Sequence, residues 1–340
     1  MSSSDRDGQA RSFTRLTRAP LRLFSERCIT PRISFYLDSK YYTVPVLNVE
    51  QISKSYGKIQ ALNGVSFDVP EGAVFGILGP NGSGKTTLLS VILDVLKADG
   101  GNYRWFGQPS SPDQRKRIGS LLETPNFYHY LSAVNNLKVT QSISQRGNRN
   151  DIDKVLEKVN LQERKNSRFS TYSLGMKQRL AVAAALMGDP KVLVLDEPTN
   201  GLDPVGIAEM REMIKSLNRA GHTVIMASHL LDEVEKVCTH VAILNKGKLI
   251  TTGMVDEVLT NEDIVELNSN DLTSLQTAIE QFPGVTQVRL ENNFVYASLA
   301  KGTAKTDEIN QYCFSKGIVL NHLLLKKKRL EARFFELTGN

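Results

Sequence analysis

The sequence predicts an α/β fold, a parallel sheet covered by helices, followed by a smaller α+β unit. Continuous apolar runs such as 191–198 and 222–229 alternate with helical patterns between residues 44 and 260. Such runs are typical of parallel strands that are buried on both faces. Beyond residue 261 the patterns change to the order β-α-β-β-α-β, which is the order of a ferredoxin-like unit.

The individual elements follow from these patterns in chain order. In the first unit we expect strands at 44–57, 61–70, 72–79, 191–198 and 222–229, a helix at 85–97, and a strand pair at 240–250 that turns at Lys246-Gly247. In the second unit we expect strands at 263–269, 285–292, 294–300 and 318–325, with helices at 272–282 and 305–317. The amphipathic segment 329–339 is predicted to form a closing helix.

We expect the 340 residues to form a disordered basic extension (1–43), an α/β domain (44–260) and an accessory α+β domain (261–340). The extension holds eight Lys/Arg against four Asp/Glu, so it carries +4 of the net charge of +6. Its Arg- and Ser-rich composition would also fit a transit peptide or a start outside the natural reading frame. Because the remaining residues are near charge balance, a globular body with a basic tail is favoured over nucleic-acid binding.

Composition narrows the class of protein further. The chain contains no uninterrupted apolar run of about 18 residues, the length that a membrane-spanning helix needs. The three cysteines, Cys28, Cys238 and Cys313, are far apart and match no metal-binding spacing. An odd number of cysteines does not suit a disulfide framework, so a reducing, cytosolic setting with buried structural cysteines is expected.

A glycine-rich loop between a predicted strand and a predicted helix gives the strongest functional signal. It matches the pattern G-x-x-x-x-G-K-[ST] without a mismatch. The predicted ATP-binding residues here are Gly79, Pro80, Asn81, Gly82, Ser83, Gly84, Lys85, Thr86 and Thr87. Glycines let the backbone approach phosphates closely, and the start of the helix directs its positive dipole end at the same place. Lys85 is expected to reach the β- and γ-phosphates, and Thr86 to offer its hydroxyl to Mg²⁺.

Two acids at the end of the apolar run 191–198 are candidates for the metal ligand and the general base that a phosphate-binding loop needs. Asp196 is placed to hold Mg²⁺, directly or through water. Glu197 follows it and is the candidate general base that polarises the attacking water. An isolated Asp-Glu pair at a strand end would more often be solvated charge, but the phosphate loop upstream reverses that preference.

Together these residues resemble the ATP-binding subunit of ABC transporters, over about residues 46–260. The segment 171–190 looks like the family signature. The resemblance implies that the signature of one subunit closes over the nucleotide held by the phosphate loop of the other. The signature residues are Ser173, Leu174, Gly175, Met176, Lys177 and Gln178, and among these the family pattern places Ser173, Gly175 and Met176 near the partner's γ-phosphate.

The resemblance also implies roles for three isolated residues. Asp203, in the sequence GLD, is similar to the loop residue that joins the two sites across the dimer interface. His229 matches the switch histidine that contacts the γ-phosphate. Tyr56 matches the aromatic residue that stacks on adenine. Each of these positions, taken alone, would more often be structural.

The chain departs from the family pattern at two places. The family normally has a Gln that contacts Mg²⁺ and the membrane subunit where this chain has Glu123. Glu123 can still serve a Mg²⁺-bound water, but with a negative charge. The signature carries Leu174 and Met176 where Ser and Gly are commonest. These variants and the C-terminal segment resemble the subgroup that acts with ABC-2-type membrane subunits, which includes bacitracin-resistance and lantibiotic self-protection exporters.

The expected function is therefore ATP hydrolysis coupled to export. Two subunits, identical or paired with a similar ATPase, would clamp two ATP molecules with Mg²⁺. They would act on a separate membrane permease at the cytoplasmic face, through a surface formed by residues 123–136. The alternative is a soluble ABC ATPase with a role in translation or DNA repair. One ATPase cassette and no long insertion argue against that, and intact catalytic residues argue against an inactive interaction module. No nucleic-acid partner is expected.

Overall fold

The computed structural model describes residues 44–123, 126–259, 262–300, 302–326 and 334. The predicted basic extension and, apart from Phe334, the predicted closing helix lie outside the described residues.

The described part of the chain contains both strands and helices. The strands are β1 (Leu47–Tyr56), β2 (Ile59–Val69), β3 (Val74–Leu78), β4 (Gly100–Trp105), β5 (Gln108–Pro109), β6 (Ile118–Leu121), β7 (Val192–Asp196), β8 (Thr223–Ser228), β9 (His240–Asn245), β10 (Lys248–Met254), β11 (Glu262–Ser269), β12 (Val285–Glu291), β13 (Phe294–Ala300) and β14 (Leu320–Lys326). The helices are α1 (Lys85–Ile92), α2 (Pro112–Lys116), α3 (Ala133–Ser144), α4 (Arg149–Lys158), α5 (Leu174–Leu186), α6 (Pro204–Arg219), α7 (Leu231–Val237), α8 (Val255–Leu259), α9 (Leu272–Glu280) and α10 (Thr306–Ser315).

A six-stranded sheet of order β10-β9-β3-β8-β7-β6 forms the centre of the first unit. Its strands are parallel except β10, which runs antiparallel to β9. Along β7, Val192 and Val194 face one hydrophobic core, whereas Leu193 and Leu195 face the other. Burial on both faces explains why these strands have continuous apolar runs, and the prediction of a parallel sheet is confirmed.

The first two strands do not join that parallel sheet. They belong to a separate antiparallel sheet of order β2-β1-β4-β5. Between Tyr56 and Ile59, which pair with each other, the connection is only Gly57 and Lys58. A connection of two residues can form a hairpin but cannot form the crossover that parallel strands require, so the antiparallel pairing follows from the short turn.

Helix α1 ends at Ile92, whereas the sequence predicts that it continues to residue 97. Asp94 adopts a left-handed conformation with φ of 59°. The backbone N–H groups of Val95 and Leu96 then both donate to the carbonyl of Ser90, at 2.9 and 3.0 Å. This closing turn satisfies a carbonyl at the end of the helix and directs the chain towards β4.

The C-terminal elements form a four-stranded antiparallel sheet of order β12-β13-β11-β14. Helices α9 and α10 contribute Leu275, Ile279, Ile309 and Cys313 to a hydrophobic core with one face of this sheet. The predicted α+β elements are therefore present in the predicted order.

Candidate functional site

The glycine-rich loop lies between β3 and α1, as predicted. Gly84 stands at the start of α1 with φ of 104°, and no side chain caps the helix there. The first amide groups of α1 therefore have no side-chain acceptor. A Cβ atom at Gly84 would lie 2.5 Å from the carbonyl oxygen of Ala61, so the loop can pass this close to β2 only with glycine.

Lys85 is buried at the base of the loop, with 6% of its surface exposed. Its Nζ donates to the carbonyl oxygens of Gly79 at 2.8 Å and Pro80 at 3.3 Å. It also lies 3.4 Å from Oε1 of Glu197. The loop and the end of β7 are thus linked by one ammonium group.

Asp196 and Thr86 meet beside this lysine. The Thr86 hydroxyl donates to Oδ2 of Asp196 at 2.8 Å, whereas the buried Oδ1 of Asp196 has no hydrogen-bond partner among the described residues. Burial raises the pKa of Asp196, and the nearby negative charges of Glu197 and Glu123 raise it further, against the Thr86 hydrogen bond and the Lys85 charge. A buried carboxylate oxygen without a partner, next to a hydroxyl, fits the oxygen ligands that Mg²⁺ prefers.

Glu197 follows β7 in a left-handed conformation, with φ of 47°. A non-glycine residue in this region costs about 1–3 kcal/mol and is often found at functional sites. Its Oε2 lies 2.8 Å from Nδ1 of His229, which follows β8. Lys85, Glu197 and His229 therefore form one connected chain of contacts along the carboxyl ends of the parallel strands.

These residues border an open cleft of about 530 Å³. Of the predicted ATP-binding residues, it is lined by Tyr56, Asn81, Gly82, Gly84, Lys85, Thr86 and Thr87, together with Glu197. Tyr56 is 47% exposed and forms part of the cleft lining. The structure thus brings the predicted stacking tyrosine, the phosphate loop and the predicted base to one cleft.

The same cleft has four lining residues that the sequence motifs do not indicate. They are Ile59, Gln60, Ala61 and Lys246. Ile59 is 71% exposed beside Tyr56, and a large exposed apolar residue next to an aromatic residue is a signal that could have been noticed. Lys246 lies in a predicted hairpin turn, and no sequence motif marks it.

The six signature residues do not line this cleft. Ser173 caps α5, where its hydroxyl accepts from the backbone N–H of Met176 at 3.3 Å. Leu174 is 42% exposed and packs near Gly201, where an added Cβ would lie 3.0 Å from the leucine side chain. Gln178 is buried, and its Oε1 has no partner among the described residues. The signature therefore lies apart from the cleft lining, beside the loop that contains Asp203.

Asp203 and Glu123 also lie outside the cleft lining. Asp203 is exposed and caps α6, because its Oδ1 accepts from the backbone N–H of Gly206 at 2.9 Å. Glu123 is exposed after β6 with φ of 57°. Its charge acts on Asp196, but no hydrogen bond joins the two carboxylates in the described part of the chain.

Metal-ligating side chains do not cluster elsewhere in the described part of the chain. Over the described ranges, no group of three or more His, Cys, Asp or Glu side chains could hold a metal ion. Cys238 and Cys313 are free and buried, as expected, and Cys28 lies outside the described residues. None of the helices in the described part combines the length and apolar character that crossing a membrane requires.

Comparison with known proteins gives the same family throughout. A family model described as ABC transporter matches residues 62–200. The chain is 37% identical to the uncharacterized ABC transporter ATP-binding protein YhcH of Bacillus subtilis, over 86% of this chain and 96% of that protein. It is 31% identical to the bacitracin transport ATP-binding protein BcrA of Enterococcus faecalis, over the same shares. It is 37% identical to the lantibiotic transport ATP-binding protein SrtF of Streptococcus pyogenes, over 67% of this chain and 97% of that protein.

One of the matching solved structures is a dimer. The ATP-binding cassette MJ0796, in a dimeric post-hydrolysis state bound to ADP and Pi, matches with a TM-score of 0.55 and 25% identity. The match covers 62% of this chain and 98% of that chain.

Proposed function

The chain belongs to the ABC transporter ATP-binding proteins and hydrolyses ATP, and from that premise we propose that it powers export through a separate ABC-2-type membrane permease. The observation that carries the proposal is that Lys85 and Thr86 of the phosphate loop contact Glu197 and Asp196, and that His229 contacts Glu197 in turn. The similarity to bacitracin and lantibiotic transport ATP-binding proteins supports a role in transport.

ATP would lie in the cleft with its adenine on the exposed ring of Tyr56 and its phosphates on the glycine-rich loop. The uncapped start of α1 offers amide N–H groups and the positive end of the helix dipole to the phosphates. Lys85 is held by carbonyl oxygens and by Glu197. A bound γ-phosphate would compete for this ammonium and so release Glu197 towards its role as base.

Thr86 and Asp196 would hold Mg²⁺, and Glu123 would reach it only through water. The buried Oδ1 of Asp196 supports this assignment, because it is the acceptor without a partner beside the Thr86 hydroxyl. When bound, Mg²⁺ would neutralise phosphate charge. Its charge would also favour the ionised form of Asp196, against the burial that raises the pKa of this carboxyl.

Glu197 would orient the attacking water and accept its proton, and His229 would hold the carboxylate in place. Both are anchored at the ends of buried strands, so their positions are set by the sheet. The chemistry consists of positioning and electrostatic stabilisation around a transferring phosphoryl group.

A second subunit would complete the site. Asp203 and the signature residues other than the buried Gln178 lie outside the cleft of their own chain and are exposed or half-buried, so they are available to a nucleotide held by a partner. The dimeric form of MJ0796 supports such an arrangement. ATP binding would then close the dimer, and hydrolysis would remove the γ-phosphate that joins the two halves. Either a second copy or a similar ATPase could be the partner.

A groove at the predicted permease-binding surface, residues 123–136, would receive the permease. This groove has a volume of about 340 Å³ and is lined by Asn126, Phe127, Tyr128, Asn136, Val139, Thr140 and Ile143. Tyr128 is 51% and Ile143 77% exposed. Asn136 fixes the groove wall, since its side chain accepts from the backbone N–H of Tyr128 at 2.8 Å. Exposed aromatic and aliphatic side chains on a rigid support are typical of protein interfaces.

Docking on a permease would place the chain at the cytoplasmic face of the membrane. We also propose that the C-terminal unit is a ferredoxin-like domain with a supporting or regulatory role. Its β-α-β-β-α-β order and antiparallel strand order support that assignment.

Purification of the full chain from membranes in mild detergent tests the transport role. The chain is expected to co-purify with a protein that has several membrane-spanning helices, identified by mass spectrometry. Ile143→Glu should remove that partner, because it places a charge in the groove. Phe314→Glu is the matched control, since Phe314 is 73% exposed on α10 of the C-terminal unit. Co-purification of ribosomes or DNA in place of a membrane protein would contradict the proposal.

A further inference from the structure

The turn between β9 and β10 is held between the phosphate loop and β2. The backbone N–H of Gly247 donates to the carbonyl of Ser83 at 3.0 Å, and the N–H of Asn63 donates to the carbonyl of Gly247 at 2.8 Å. A Cβ atom at Gly247 would lie 2.7 Å from the carbonyl oxygen of Ala61. The turn therefore has a fixed position at the edge of the nucleotide cleft.

Lys246 is the first residue of this turn and has a left-handed backbone. Its φ is 47°, and that of Gly247 is 75°. Positive φ at both central residues is the type I′ pattern, for which Asn-Gly and Asp-Gly are the preferred pairs. A lysine at this position has an unfavourable backbone conformation, because its Cβ crowds the backbone there. The turn thus carries a positive charge where a neutral or acidic residue would fit the backbone better.

The side chain of Lys246 is exposed and lines the nucleotide cleft. The other charged residues of the lining are Lys85 and Glu197, which lie 3.4 Å apart and offset each other. Among the described residues, no carboxylate lies within ion-pair distance of Lys246. The charge of Lys246 therefore makes the described lining net positive before a nucleotide binds.

Another lysine near the cleft mouth, Lys54, already has a carboxylate partner. The ammonium of Lys54 lies 6.0 Å from the centre of the Tyr56 ring, but it is bound to Asp99 at 2.7 Å. Its charge is thus already compensated. Lys246 is the better candidate for a contact to an anion, because its flexible four-carbon stem can bring an uncompensated charge into the cleft.

We propose that Lys246 contacts the phosphate chain of a bound nucleoside di- or triphosphate, as a second cation beside Lys85. This contact rests on the proposed placement of ATP in the cleft. It would add electrostatic attraction from the turn, independently of the phosphate-loop motif, and it would weaken as salt screens the partly exposed charge. It requires no second subunit, because the turn and the cleft belong to one chain.

The affinity of the single subunit for Mg-ADP, measured by calorimetry at low and high salt, tests this contact. Lys246→Gln is expected to weaken binding about fivefold at low salt, the size of a partly exposed charge contact, and less at high salt. Lys246→Arg should stay within about twofold of the unmodified chain, because the charge is kept. Lys248→Gln removes an exposed lysine from the same hairpin, outside the cleft lining, and should have no effect.

Equal affinity of Lys246→Gln and Lys248→Gln at low salt would overturn the inference. Lys85→Ala separates this outcome from failure of the proposed nucleotide site. If Lys85→Ala loses Mg-ADP and Lys246→Gln does not, only the role of Lys246 is wrong. If Lys85→Ala binds Mg-ADP normally, the placement of the nucleotide in the cleft is wrong, and the inference falls with it.

Discussion

The imidazole of His229 lies 2.8 Å from the carboxylate of Glu197, measured from Nδ1 to Oε2. The contact joins the residue after β8 to the residue after β7, at the edge where neighbouring parallel strands end. It leaves Oε1 of the same carboxylate directed to Lys85. The proposed base is therefore held on both sides by groups that a phosphate would also attract.

His229→Ala is expected to lower kcat for ATP hydrolysis about 100-fold while KM changes little, because the carboxylate of Glu197 loses the group that orients it. Steady-state ATPase measurements test this. His322→Ala, on the C-terminal sheet, is the control and should leave kcat unchanged. A kcat within twofold of normal for His229→Ala would contradict the role of this contact.

Gly84→Ala is expected to abolish Mg-ADP binding, because its Cβ would lie 2.5 Å from the carbonyl oxygen of Ala61. Gly72→Ala is the matched control, since Gly72 also has positive φ, of 73°, but has open space around the added atom. Both changes introduce backbone strain of about 1–2 kcal/mol, whereas only Gly84→Ala displaces the loop. Comparable Mg-ADP affinities for the two variants would contradict the steric argument.

Arg146→Met is expected to reduce the free energy of unfolding by about 2–3 kcal/mol. The guanidinium donates to the carbonyls of Met187 at 3.1 Å, Ala185 at 2.5 Å and Ala184 at 3.4 Å, and also to that of Ile118. It thereby ties the turn between α3 and α4 to the end of α5 and to β6. Denaturant unfolding measures the loss, and exposed Arg149→Met is the control. Equal midpoints for the two variants would contradict the prediction.

Glu266→Gln is expected to lower the melting temperature at neutral pH. Burial raises the pKa of Glu266, but hydrogen bonds with Lys326, Tyr296 and His322 outweigh it and hold the pKa below its ordinary value of 4.5. A lowered folded-state pKa gives stability that is complete above the unfolded-state pKa and is lost as pH falls through the folded-state value.

The difference in melting temperature between wild type and Glu266→Gln should therefore be constant from about pH 7 to 9 and shrink below pH 4.5. Melting curves over this pH range test the prediction. A difference that grows on acidification would show that the charge of Glu266 is not the source of the stability.

The residues that meet at the proposed nucleotide site could be singled out from the sequence because they lie in short motifs at strand ends. Glycines, Lys85 and Thr86 are contiguous, and Asp196 and Glu197 end one apolar run. The position of Lys246 in the cleft lining could not be predicted from the sequence. Lys-Gly is an ordinary turn sequence, and only the folded hairpin brings Lys246 to the cleft. The hydrogen bonds of Arg146 could not be predicted either, because their acceptors are backbone carbonyls, which no residue type marks in the sequence.

The first two strands show a second limit of prediction from sequence. Their apolar patterns predicted strands correctly, but periodicity does not tell which sheet a strand joins. The two-residue turn at Gly57 and Lys58 contained that information, because only an antiparallel hairpin can use so short a connection. Turn length thus decides pairing where hydrophobic pattern does not.

The most direct test of the account is the association state of Glu197→Gln with Mg-ATP, measured by sedimentation. We predict a stable dimer that holds two ATP molecules and does not turn over, because in the proposed arrangement an uncleaved γ-phosphate would keep the phosphate loop of one subunit joined to the signature of the other. Adding Lys85→Ala should return the protein to monomers. A Glu197→Gln chain that remains monomeric with ATP bound, or that hydrolyses ATP at the normal rate, would contradict the account.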